Sequence, residues 1–304
     1  MQAGEKIIEI KNLVKYYGKI CALSSISFDV FQGDVFGFLG PNGAGKSTTI
    51  RAMLSLISST SGEIKIFNKE LRANRNAILS EIGCIVEKPD FYKYLSAQKN
   101  LEILARVSGK KVSRSKIEEI IEFVGLKGRE KDKVLSYSHG MRQRLGIAQT
   151  LIHDPQLIIL DEPTTGLDPQ GIIDIRNLIL QLKNERNKTI VLSSHILSEI
   201  ELIANRMVII NKGKVIVQGE VKELLDESKL IVTFSVNRSA EAIQLLNQHF
   251  PSTLDHSELD QLYLSVSKEM ISQINKMFCE NNIQVNGIES KRKLEDYFLK
   301  LINN

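Results

Sequence analysis

Cysteine is scarce in this chain. Cys21, Cys84 and Cys279 are spread across 304 residues and form no pairing or ligand pattern, which argues against a disulfide framework and against a zinc site. That usage fits a reducing cytosol, with each thiol expected in apolar surroundings. A secretory leader is not expected either, since Met1 to Glu5 has no basic region followed by an apolar stretch. No apolar run approaches the ~18 to 20 residues that a membrane span needs. Work at a membrane is therefore expected to go through partners. There is no low-complexity tract and no internal repeat.

What is present is ordinary globular composition, 42% hydrophobic and 25% charged, enough for one large domain with a proper core and a small one. The formal net charge of +4 comes from a basic stretch over residues 1–225 and a mildly acidic one over 226–304. A basic main body suits phosphate ligands.

Along the chain, Ile7 to Ile10, Ile26 to Phe31 and Val35 to Leu39 read as strands punctuated by Gly18, Gly33 and Gly40. They predict a β-rich layer before the first helix. That helix should run from Gly45 to about Leu56, with strands again at Glu63 to Phe67 and Ile82 to Val86. Between about residues 90 and 152 apolar residues recur at helical spacing, at Ala97, Leu101, Leu104 and Ala105, then at Ile117, Ile120, Ile121 and Val124. This predicts a helical insertion. Leu157 to Leu160, Thr189 to Leu192 and Met207 to Ile210 are continuous apolar runs alternating with helices, as in a parallel sheet buried on both faces. A domain over 1–225 is thus expected, followed by a small α+β unit over 226–304. That unit should hold strands at Leu230 to Val236, Leu262 to Val266 and Ile283 to Ile288, with helices near Ala240 to His249, Lys268 to Phe278 and Leu294 to Ile302.

The segment Gly40-Pro41-Asn42-Gly43-Ala44-Gly45-Lys46-Ser47-Thr48 fits G-x-x-x-x-G-K-[ST], a loop whose backbone N–H groups surround phosphates at the positive end of a helix. Glycines permit close approach, Lys46 carries charge to the β- and γ-phosphates, and the Ser47 hydroxyl is a ligand for Mg²⁺. Asn211-Lys212-Gly213-Lys214 begins like a guanine-reading loop but lacks its aspartate. It reads instead as a polar turn between two strands. Leu157-Ile158-Ile159-Leu160-Asp161-Glu162 is an apolar strand ending in two carboxylates, placed where open α/β sheets bind ligands. Asp161 is a candidate Mg²⁺ ligand, and Glu162 a candidate base for the water that attacks the γ-phosphate.

From these residues residues 7–220 are identified as resembling an ABC-transporter ATPase. Asp161-Glu162-Pro163-Thr164-Thr165-Gly166-Leu167-Asp168-Pro169 resembles the family's Walker B strand running into its D-loop, which brings in Asp168. His195, in Ser193-Ser194-His195, matches the family's switch histidine, and Tyr17 the aromatic that stacks on adenine. Tyr137-Ser138-His139-Gly140-Met141 is similar to the signature motif, matching it at Ser138 and Gly140 and departing from it at Tyr137, His139 and Met141. Physically the motif requires a capped helix N-terminus aimed at a γ-phosphate. Glu87 stands where most members have glutamine. With Phe91, Tyr92 and the Leu294-Glu295-Asp296-Tyr297-Phe298-Leu299 ending, it is similar to ATPases of bacitracin-resistance and lantibiotic-immunity exporters.

The resemblance implies a P-loop α/β fold with an antiparallel β layer and an inserted helical subdomain, plus the α+β appendage. It implies an enzyme that hydrolyses ATP with Mg²⁺. Glu162, His195 and Lys46 would be catalytic. Tyr17, Gly40, Asn42, Gly43, Ala44, Gly45, Lys46, Ser47, Thr48, Ser138, Gly140 and Asp168 would bind nucleotide, and Ser47, Glu87 and Asp161 the metal. It implies a homodimer or paired cassette sandwiching two ATP molecules, bound through integral membrane permease subunits to the cytoplasmic face of the cell membrane and powering export. An importer would share every catalytic residue. A soluble ABC protein acting on ribosomes or DNA usually carries two cassettes or a long coiled-coil insertion; this chain has one P-loop, so nucleic acid is not expected as a partner.

Overall fold

The computed structural model of the chain describes residues 4–109, 111–224, 230–292 and 298. It divides into two compact units, residues 1–219 and 220–304. Composition had placed that division at 225.

The first unit opens with strands β1 (Lys6–Tyr17), β2 (Ile20–Phe31) and β3 (Val35–Leu39), then α1 (Lys46–Met53), β4 (Ser61–Ile66), β5 (Lys69–Glu70), α2 (Arg75–Leu79) and β6 (Ile82–Ile85). Helices α3 (Ala97–Val107), α4 (Arg114–Phe123) and α5 (His139–Leu151) follow. The unit continues with β7 (Leu157–Leu160), α6 (Pro169–Arg186), β8 (Thr189–Ser194), α7 (Leu197–Ile203), β9 (Arg206–Asn211) and β10 (Lys214–Glu220).

Two sheets form its framework. One has the order β2-β1-β4-β5 and the other β10-β9-β3-β8-β7-β6. In the second, β3 pairs parallel with β8 and β9, and β7 parallel with β6 and β8. Every residue of β3, β7 and β8 is buried, which is why these strands read as unbroken apolar runs. The antiparallel sheet closes over this one. Ile8, Ile10, Leu13 and Ile26 share a core with Phe36, Phe38, Ile159 and Val191 and with Ile50 and Met53 of α1. Phe28 stacks on Phe36 at 5.5 Å between ring centres and lies 5.3 Å from Phe38.

β1 and β2 are far longer than their sequence pattern predicts. Their pairing slips between Ile10 and Leu13 and again between Leu13 and Lys15, and Asn12 takes a positive φ of 48° at the first slip. Each bulge shifts the in–out alternation, so a period-two pattern breaks although the strand continues. The insertion between β6 and β7 is helical as expected, with helices capped by Ser96, Ser113 and Ser138.

The second unit contains α8 (Val221–Leu224), β11 (Leu230–Val236), α9 (Ser239–His249), β12 (Leu254–Glu258), β13 (Gln261–Val266), α10 (Lys268–Glu280) and β14 (Val285–Arg292). Its sheet order, β12-β13-β11-β14, with β11 antiparallel to both neighbours, is the ferredoxin-like β-α-β-β-α-β arrangement. Val232, Phe234, Leu246, Leu264 and Ile274 form its core, where Phe234 meets Phe278 edge-on at 5.6 Å. β12 was not expected, since Leu254 is its single apolar residue. The helix expected over Leu294 to Ile302 lies outside the described residues except for Phe298, which is buried. The thiols differ from expectation as well: Cys21 and Cys279 are exposed and Cys84 is half-buried.

Candidate active site at the strand ends

The chemistry-bearing residues gather where adjacent parallel strands end. Paired positions run Ile85, Leu160 and Leu192 across β6, β7 and β8, and Leu39 of β3 pairs with Ser194 of β8. One or two residues further on come Glu87, Asp161 and Glu162, His195, and the glycine loop at Gly40. This is the carboxyl edge at which open α/β sheets bind ligands.

The loop from Gly40 to Gly45 depends on two properties of glycine. A Cβ on Gly40 would lie 2.4 Å from the Ile210 carbonyl oxygen, so the position excludes any side chain. Gly43 and Gly45 adopt φ of 78° and 109°, left-handed values that other residues adopt at a cost. Gly45 then starts α1, whose N-terminus receives no side-chain cap and has no acidic residue in its first turn. The positive end of that helix is left for an anion.

Lys46 is buried at 5% exposure. Its Nζ donates to the Gly40 carbonyl at 2.8 Å and the Pro41 carbonyl at 3.3 Å, and lies 3.2 Å from Glu162 Oε1. The ammonium is thereby held inside the loop and faces an anionic oxygen, the environment that a phosphate oxygen also offers.

Glu162 is the centre of the site. Its backbone has a positive φ of 47°, an uncommon conformation for a side-chain-bearing residue that concentrates at functional positions. The turn is pinned by its own N–H, which donates to Ser193 Oγ at 2.8 Å. On the side chain, Oε2 accepts from Thr165 Oγ1 at 2.9 Å and lies 3.4 Å from His195 Nδ1. Partial burial pulls this carboxyl's pKa upward. The Thr165 hydrogen bond, then Lys46, then His195 outweigh it, and the net result lies below the ordinary carboxylate value. The group is therefore ionised at neutral pH and placed to accept a proton.

Asp161 is buried, and its Oδ1 accepts from Ser193 Oγ at 2.6 Å. Ser47 sits one residue past Lys46 at the start of α1, half-buried. A hydroxyl and a carboxylate are the hard oxygen donors that Mg²⁺ takes. Glu87 is placed differently. It too has a positive φ, 65°, but its carboxylate forms an ion pair with Arg51 of α1, so a metal would have to draw it from that partner.

Tyr17 ends β1 half-exposed, with Lys15 Nζ 4.8 Å above its ring. Ser138 caps α5, accepting from the Met141 N–H at 3.2 Å. Gly140 stands in the first turn of that helix, and a Cβ there would meet nothing within 4 Å. Asp168 caps α6, accepting from the Gly171 N–H at 3.2 Å, with Pro169 at the first helical position. Its local duty is thus the start of a helix.

Four residues at the site were given no role in the sequence reading, Ser193 and Thr165 having been quoted only within motifs and Arg51 and Glu199 not at all. Ser193 ties Asp161 to Glu162, Thr165 holds Glu162, Arg51 pairs with Glu87, and Glu199 accepts from both Thr164 and Ser194. Thr165 and Ser193 are adjacent to assigned residues, which was the signal available. Arg51 and Glu199 had none, since each acts from a helix face across from its partner.

The profile of the family described as ABC transporter matches residues 23–165. The bacitracin transport ATP-binding protein of Bacillus licheniformis is 43% identical over 300 residues, covering 97% of each chain. A lantibiotic transport ATP-binding protein of Streptococcus pyogenes is 44% identical over 214 residues, 70% of this chain and 91% of that one. Among solved structures, a dimeric ATP-binding cassette in a post-hydrolysis state with ADP and Pi superposes with a TM-score of 0.63 at 25% identity, covering 70% of this chain and 98% of that one. With the glycine cradle, the buried lysine and the ionised glutamate grouped at one sheet edge, the chain belongs to the ABC transporter ATP-binding proteins and is an ATP hydrolase.

Proposed function

We propose that two copies of this chain, or this chain and a paired cassette, close on two ATP molecules and power export of a peptide antibiotic or similar compound through separate membrane permease subunits. Support for the cargo class comes from the bacitracin and lantibiotic relatives. Support for the pairing comes from the dimeric cassette that carries ADP and Pi. No helix among the described residues is long and apolar enough to cross a membrane, so the permease would hold the chain at the cytoplasmic face. The segment from Glu87 to Leu95 would meet it.

In this reading the loop from Gly40 to Thr48 grips the phosphates by its backbone N–H groups, and Lys46 neutralises the β- and γ-oxygens. Tyr17 offers its exposed ring to adenine. Ser47 and Asp161 would hold Mg²⁺, with Glu87 joining them on release from Arg51, and the ion would supply charge neutralisation of the phosphates. Glu162 accepts the proton of the attacking water, and His195, 3.4 Å from it, senses the γ-phosphate. Ser138 and Gly140 at the start of α5 serve the nucleotide held by the other copy, and Asp168 joins the nucleotide-binding residues.

The observation that carries this reading is the single carboxylate of Glu162, ionised and contacted by Lys46, Thr165 and His195 together. Glu162→Gln should retain ATP binding while hydrolysis falls by about 10²-fold or more, the scale of a positioned base. Turnover near the parental rate in that variant would remove Glu162 from the role.

A further inference from the structure

The turn after β7 is joined to the last residues of β8 by two separate fastenings. The first is Ser193, which bonds Asp161 and the Glu162 N–H. The second is supplied by helix α7. Oε2 of its Glu199 accepts from Thr164 Oγ1 at 2.8 Å and from Ser194 Oγ at 2.9 Å. Ser194 is buried at 3% exposure, and its Oγ in turn receives the Ile196 N–H at 3.0 Å, fixing the residues on either side of His195. Thr164 belongs to the turn that carries Glu162 and Thr165.

We infer that Glu199 is a positioning residue for hydrolysis: one carboxylate oxygen clamps the turn after Glu162 to the turn around His195 and sets the distance between base and histidine. The inference deepens the proposed function and rests on it. Hydroxyl hydrogen bonds to an ionised acceptor are stronger than neutral ones, and two converging on one oxygen define its place along two directions. Neither Thr164 nor Ser194 touches the carboxylate of Glu162, so the clamp acts on backbone position. Its effect should therefore appear mainly in the chemical step, where misplacement by about 1 Å can cost as much as 10²-fold, because Ser194 meets the phosphate loop through its backbone carbonyl, which accepts from the Gly40 N–H at 3.3 Å, and not through the hydroxyl that Glu199 holds.

The test uses the full chain with Glu162 intact, so that a failure of the base assignment, read separately in Glu162→Gln, is not confused with a failure of the clamp. Glu199→Ala should lower kcat by about tenfold or more with the KM for ATP within about twofold. Glu199→Gln should recover most of that loss, because an amide oxygen accepts the same two hydroxyls. Thr164→Val and Ser194→Ala each remove one donor and leave the carboxylate, which keeps the test open should Glu199→Ala fail to fold. Each should lower kcat, and Thr164→Val should not add to the loss in a Glu199→Ala background, whereas Ser194→Ala also removes the acceptor of the Ile196 N–H. The inference is overturned by a parental kcat in Glu199→Ala, by a glutamine variant no better than alanine, by additive losses in the Thr164→Val, Glu199→Ala double variant, or by a loss confined to KM.

Discussion

Gly40→Ala tests whether the phosphate loop is shaped by contact with the strand beside it. The added methyl would lie 2.4 Å from the Ile210 carbonyl oxygen, 3.1 Å from Ala44 Cβ and 3.1 Å from Ile210 Cγ1. Ordinary van der Waals contact begins about 1 Å further out than the first of these distances. Ile210 is in β9, hydrogen-bonded to the central strand and fully buried, so the loop has to give way. Overpacking of this kind costs about 1 to 3 kcal/mol, which in a unit of this size lowers Tm by on the order of 5 °C. The same shift displaces the N–H groups and Lys46, and kcat/KM for ATP should fall by about 10²-fold. Gly43→Ala is the matched control. There a methyl meets nothing within 4 Å, and only the left-handed backbone opposes it, at about 1 kcal/mol. Its Tm should fall less. Calorimetry and a coupled ATPase assay measure both quantities. A Gly40→Ala protein that melts and turns over like the parent, or that is less affected in Tm than Gly43→Ala, would refute the reasoning.

Two more predictions follow from the same geometry. Thr165→Val removes the hydroxyl that lowers the pKa of Glu162, so the acid limb of the kcat/KM profile should move to higher pH. A carboxyl held below its ordinary value in the folded state contributes stability that is present above its unfolded pKa and lost as pH falls through the folded one. Thr165→Val should accordingly lower Tm at neutral pH and match the parent in strong acid. Ser138→Ala removes the cap of α5, costing about 1 kcal/mol of stability. In a Glu162→Gln background it should also weaken ATP-driven pairing, read by sedimentation, as the role proposed for that helix end toward the nucleotide of the other copy requires.

Much of this site was legible because its motifs are local. The loop from Gly40 to Thr48 is contiguous, and each of its glycines answers to a contact or a φ that another residue would resist. The buried parallel strands announced themselves as apolar runs, and Asp161 and Glu162 end one of them. What escaped the sequence was made by tertiary contact. The partners of Glu87 and of Thr164 and Ser194 come from helices α1 and α7, which no spacing in the chain connects to them. The length of β1 was hidden by its bulges, and β12 by its polarity. Asp168 shows the converse: a residue read for nucleotide binding also begins a helix, and Asp-Pro at that place signals the cap as clearly as the motif.

The account turns on two chains sharing each nucleotide. Its most direct test is the specific ATPase rate of the purified chain as a function of protein concentration, at saturating ATP. If α5 of one copy must complete the site of the other, the rate per chain should fall on dilution, and sedimentation of Glu162→Gln with ATP should show a dimer holding two nucleotides. A rate per chain that stays constant from the concentrated to the strictly monomeric range would contradict it.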